Sequence, residues 1–142
     1  MASVIPAAAK LEITTAWANE ALWVALFTAP PAANCESQTN LSTCTGQCTG
    51  AGYDSTNGGK LHVFESAASG SDALLRTVGV TTTSWTGLTL VTPARYAVVY
   101  KHTGANAGPI RGVIDFGSNY SCTNGTLTIT WSTSGLIKVS SV

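Results

Sequence analysis

Charge is what this chain has least of. Asp, Glu, Lys and Arg make up 10% of its 142 residues, against about 25% in ordinary soluble proteins. The seven basic residues cancel the seven acidic ones, so no basic field exists to gather nucleic acid or an anionic lipid surface. Long apolar runs are missing too. The longest, ALWVALF at 21–27, is far too short to span a bilayer, and the first twenty residues lack the basic n-region of a secretory signal. A soluble product made in the cytoplasm is the expectation. Catalytic motifs are equally scarce: there is no G-x-S-x-G elbow, no H-E-x-x-H and no P-loop pattern.

Hydroxyls are what the chain has in place of charge. Serine and threonine number 14 and 21, a quarter of the residues, and threonine suits strands. Disorder is excluded by 44% hydrophobic residues at zero net charge. The length sets a prior of one domain able to bury its own core. A nearly neutral surface has little to keep copies apart, which suits a subunit packed against others.

Short runs of β-forming residues recur, separated by turn signals. The apolar run 21–28 reads as a buried strand stopped by Pro30 and Pro31. Further strands are expected at 60–65, 74–82, 84–91, 94–101, 110–116, 126–131 and 136–139, with 67–72 (AASGSD) as a turn. In 126–131, Leu127, Ile129 and Trp131 share one face and three threonines the other. Residues 5–18 are ambiguous between helix and strand, and Pro6 in a first turn tips them towards a short helix. Residues 30–59 are almost wholly turn-forming, and a loop of that length is often functional or an interface element. The pattern predicts an all-β chain: an antiparallel sandwich or flattened barrel of about seven or eight strands over 19–142, preceded by an N-terminal arm or short helix at 1–18.

The chemistry-bearing residues point to structure. His62, alternating with Leu61 and Val63, reads as a half-exposed strand residue, and His102 as a turn residue. Asp54 with Asp115 is the one carboxylate pair to consider for glycoside hydrolysis, yet Asp115 between Ile114 and Phe116 is better used bonding backbone amides, Arg95 or Arg111. Tyr53 is placed to anchor its glycine-rich loop. The expectation is no catalytic residue, no cofactor and no metal. The cysteines, spaced C-x8-C-x3-C with one distant partner, are candidate disulfide residues (Cys35, Cys44, Cys48 and Cys122). They are read as free thiols or late-forming bridges before a metal set.

The stretches ARYAVVYKHTG (94–104) and IRGVIDFGSNYSCTNGTLTITWSTSGLIKV (110–139) resemble a family of small virion proteins of tailed bacteriophages. The shared order is an R-Y-A-hydrophobic-Y strand, a D-T-G-like turn, an I-D-F-G strand end and a closing G-x-hydrophobic-T-hydrophobic-x-W hairpin. LWVALFT (22–28) and GYDSTNGG (52–59) are similar to the family's first strand and its G-Y-x-G-G loop. The cysteine-bearing insert 35–48 and Cys122 depart from the family pattern. The resemblance implies a structural component of the particle with no enzymatic residue to carry over.

The expected function is a capsid decoration, or cement, protein on the outer face of the head. Its partners would be the major capsid protein and copies of itself in a homo-oligomer such as a trimer, with no nucleic acid and no membrane. Contact regions are expected at 1–18 and 30–59, with Ile5, Leu11, Trp17, Tyr53 and Trp85 as candidate subunit-contact residues. A tail, neck or baseplate component is the alternative. So is a receptor- or carbohydrate-binding module built on Trp85, Tyr53 and loop 30–59.

Overall fold

A computed structural model of the chain describes residues 5–30, 40–70, 72–77, 79–135 and 137–139. It is all-β with one N-terminal helix. The strands are β1 (Leu22–Phe27), β2 (Gly50–Ala51), β3 (Lys60–Leu61), β4 (Glu65–Ser69), β5 (Asp72–Arg76), β6 (Thr82–Leu90), β7 (Ala94–Lys101), β8 (Ile110–Tyr120), β9 (Gly125–Thr130) and β10 (Ile137–Val139). They form three antiparallel sheets, ordered β3-β1-β7-β8, β10-β5-β4 and β2-β6-β9.

The apolar run at 22–27 is continuous because β1 is buried on both faces. On one face Leu22, Val24 and Leu26 join Ala97 and Val99 of β7, meeting Trp85, Leu88, Leu75, Phe64 and Trp131 from the other sheets. On the reverse face Ala25 and Phe27 join Val98 and Tyr100, and Leu41 covers them. Each such aliphatic or aromatic side chain taken from water contributes roughly 1.5–3 kcal/mol, so the centre of this sheet dominates the stability.

Residues 40–59 are therefore no idle loop. Leu41, in a short 3₁₀ turn, is 1% exposed against the reverse face. The turn is fixed by Asn40, whose Oδ1 accepts from the Ser42 and Gly108 amides. Where β3 ends, the same segment completes the edge of β1. Cys48 N–H donates to the Leu26 carbonyl, Thr28 N–H to that of Gly46, and Leu26 N–H to the Tyr53 hydroxyl. The stretch 31–39 lies outside the described residues. Over 40–59 the segment is a strap that closes the chain's own sheet.

Several strand boundaries differ from the sequence expectation, among them β8, expected at 110–116, which runs on to Tyr120. The run 60–65 divides after Leu61, and β4 crosses into another sheet from Glu65. Residues 67–69, read as turn, are strand, and the reversal is confined to the residues around Gly70, whose φ is +61°. Alanine and serine carry weak strand signals, but pairing along β5 supplies the missing preference. Likewise 74–82 is not one strand: β5 stops at Arg76 and β6 starts at Thr82, with Gly79 at φ +74° between them.

The N-terminal segment is helical at Ala7–Ala18 (α1) and packs on β4 and β5. Its buried face is polar. Lys10 is 1% exposed and 3.8 Å from Asp72, and Thr14 is fully buried with its hydroxyl 2.5 Å from that of Ser66. Ile5 and Ile13 stand exposed. Apolar periodicity could not have set this orientation: the most buried side chains are Lys10 and Thr14, and among the apolar ones Trp17 and Ala18, at the helix end, reach the core while Ile13 faces out. Far from being a free arm, α1 from Ala7 on belongs to the packing of the body.

Candidate functional site

Of the candidate contact residues, Ile5 is exposed and Leu11 and Trp17 are half-buried. Trp17 lies beneath the Arg111 guanidinium, 5.4 Å from ring to cation, and Arg111 in turn grips Glu20 through two bonds of 2.7 and 2.8 Å. That network fastens the end of α1 to β8. Arg111, with a lesser contribution from Lys101 at 3.6 Å, holds the Glu20 carboxyl below its ordinary range. Tyr53 and Trp85 need correcting: they are 6% and 4% exposed, their rings 6.3 Å apart inside the core. Neither has a surface to offer a neighbouring subunit or a sugar. The glycine-rich setting of Tyr53 did foretell its anchoring role. Its hydroxyl takes the Leu26 and Gln47 N–H groups, and burial pushes its pKa up to about 12.

His62 reverses its expected phase. It is 5% exposed, while Leu61 and Val63 are 52% and 70% exposed. The alternation is real, but the imidazole takes the inward side because a partner waits there. Thr83 Oγ1 lies 2.9 Å from His62 Nδ1 and accepts from Trp131 Nε1 at 2.8 Å. The threonine oxygen thus links the indole N–H to the imidazole. Phe64 and Trp131 close the ring in. A hydroxyl beside an imidazole has the reach of a nucleophile and its base; here the two side chains are 3% and 5% exposed and line the inner side of a surface depression bordered by Leu61, Val63 and Val80.

Burial holds His62 below the ordinary histidine value of 6.5. The unfolded chain therefore takes up the proton first as pH falls. The stability from the neutral ring is whole above about pH 6.5 and declines below it. Thermal unfolding between about pH 7 and pH 5 is expected to show a falling Tm that flattens in His62→Gln. An unchanged slope in the variant would assign the effect elsewhere. The carboxylates whose pKa is lowered start from 4.5 or 3.8 and act at lower pH.

The two carboxylates weighed for hydrolysis are each tied locally. Asp115 holds Arg95 through bonds of 3.0 and 3.2 Å and accepts the Gly117 amide at 2.7 Å. Asp54 accepts from the backbone and side chain of Asn57. Hydrogen bonding lowers both pKa values, the reverse of what a general acid requires.

Cys48 and Cys122 are free thiols. Cys48 is wholly buried and desolvation pushes it up to about 11, which removes its reactivity as a thiolate. Cys44 places its sulfur 3.5 Å from the Asn40 carbonyl. Cys35 lies outside the described residues. Among the described residues no group of three or more His, Cys, Asp or Glu could hold a metal, and no helix is long and apolar enough to cross a membrane.

What sequence reasoning missed is on the outside. Leu61, Val63 and Val80 line one shallow depression over the β3 edge, and Phe116, Tyr120, Leu127, Thr128, Ile129 and Thr130 line an open groove of ≈ 270 Å³ beside β9. No protein-family model, curated protein or solved structure matches this chain.

Proposed function

We propose that this protein is a structural component of a bacteriophage particle, a decoration protein that binds the outer head surface and reinforces contacts between major capsid proteins. One contrast carries the reading. His62, Glu20, Asp115 and the Tyr53 and Tyr100 hydroxyls are committed to holding the fold, whereas among the described residues seven large apolar side chains stand exposed on it. Exposed apolar patches are where proteins meet other proteins. The family-like order of motifs over 94–139 falls on consecutive strands β7 to β10, which contribute to all three sheets. It acts by contact and transforms no substrate.

A tail, neck or baseplate position is the second reading, built on the same kind of domain. Densitometry of purified particles separates them. A copy number comparable with that of the shell subunit supports the head, a number lower by an order of magnitude supports the tail, and absence from particles overturns both. The carbohydrate-binding reading loses its aromatic platform, because Trp85 and Tyr53 face inward.

A further inference from the structure

We propose that two copies of this chain join edge to edge through β9, in antiparallel register with the two-fold axis at Thr128. The pairing goes beyond the virion reading and stands on strand geometry alone.

β9 is the outermost strand of its sheet, bonded on one side to β6. Trp131 N–H donates to the Thr81 carbonyl, and the register continues with Ile129 opposite Thr83 and Leu127 opposite Trp85. Antiparallel hydrogen bonding alternates, so Leu127, Ile129 and Trp131 spend their backbone groups on β6. The N–H and C=O of Thr126, Thr128 and Thr130 point away from it. Among the described residues nothing bonds to them.

The sequence of this edge is symmetric: Thr126, Leu127, Thr128, Ile129, Thr130. Turned about Thr128, a second copy sets Thr128 opposite Thr128, Thr126 opposite Thr130 and Leu127 opposite Ile129. The outward backbone groups of the three threonines then meet their counterparts as hydrogen-bonded pairs. The side chains match as well. Threonines, exposed in each copy, line one face in the cross-strand pairs that sheets favour, and half-buried Leu and Ile line the other. On that apolar side runs the groove walled by Phe116 and Tyr120, the latter 47% exposed.

Edge strands are usually guarded by charge, proline or bulges. β8, at the edge of the neighbouring sheet, has Arg111, Asp115 and two register shifts. Over Thr126–Thr130 β9 has no charge and no proline, and the one register shift of its pairing, at the Thr126 end, puts its extra residue on β6 between Trp85 and Leu88; no charged residue occurs between Asp115 and Lys138. An unguarded, self-matching edge in a chain so poor in charge is suited to a copy of itself.

Sedimentation velocity of the purified full-length protein over a concentration series tests this. The expected result is a reversible dimer, weakened roughly tenfold or more by Thr128→Lys, which sets like charges together at the axis. Thr128 is exposed, so the near-UV circular dichroism of that variant should be unchanged. Register is read from two double variants. Thr126→Lys with Thr130→Glu keeps the dimer through opposite charges, and Thr126→Lys with Thr130→Lys loses it. A wild type that stays monomeric or forms a closed trimer, a Thr128→Lys dimer as tight as wild type, or two double variants that behave alike would overturn the pairing.

Discussion

Trp85→Ala is expected to cost about 3–5 kcal/mol of folding free energy, the range for removing a large aromatic ring from a packed core. In a chain of this length that lowers Tm by roughly 10–15 °C. The ring is 4% exposed, leans on Tyr53 and shares a cluster with Leu22, Val24, Leu88 and Trp131. The collapse needed to fill the void would have to move strands from two sheets. Equilibrium denaturation of the variant separates this from a contact role. A core residue lowers the stability equally at every protein concentration, whereas a subunit-contact residue leaves the monomer intact and weakens only association. A loss under 1 kcal/mol would return Trp85 to the surface.

The second large effect is expected at Gly59, where β3 begins. Its φ is +108°, and a Cβ there would run into the Val24 carbonyl oxygen. Gly59 also donates its N–H to the Asp54 carbonyl at 2.9 Å, closing the turn that delivers the chain to the edge of β1. Gly59→Ala therefore carries both backbone strain and a collision with main chain that cannot swing aside, about 2–4 kcal/mol together. Gly70 is the control. It has φ +61° but open space around a Cβ, so Gly70→Ala should cost only about 1 kcal/mol. The difference between the two, measured by denaturant unfolding, isolates the collision. Equal losses would show that strain alone is at work.

The all-β fold was legible because strands advertise themselves through alternation and composition. ARYAVVYK and TLTITW carry both signals, and β7 and β9 form where they stand. Asp115 was legible for a local reason too: a carboxylate within a strand and two residues before a glycine recruits a neighbouring-strand cation and a backbone amide, here Arg95 and Gly117. What could not be read was direction. In KLHVFE the alternation holds but its phase is set by a hydroxyl twenty-one residues away, since Thr83 and Trp131 make the interior hospitable to His62. In α1 the contact face is chosen by Asp72 and Ser66, so Lys10 and Thr14 turn inward and the isoleucines outward. The role of 40–59 was hidden for a related reason. A segment of turn residues displays no hydrophobic period, and its attachment to β1 runs through backbone groups and a single phenol.

The two-sided burial of β1 also bears on how the chain is born. Leu22 is matched with Lys101 and Phe27 with Tyr96, so the most apolar segment is made early and its main partner late. Such distant pairing is slow to form. Until β7 has emerged from the ribosome, LWVALF has β3 and the strap on one edge and nothing on the other, and a nascent chain with that open edge is exposed to wrong partners. Whatever shields that open edge during synthesis then raises the share of chains that reach the finished fold.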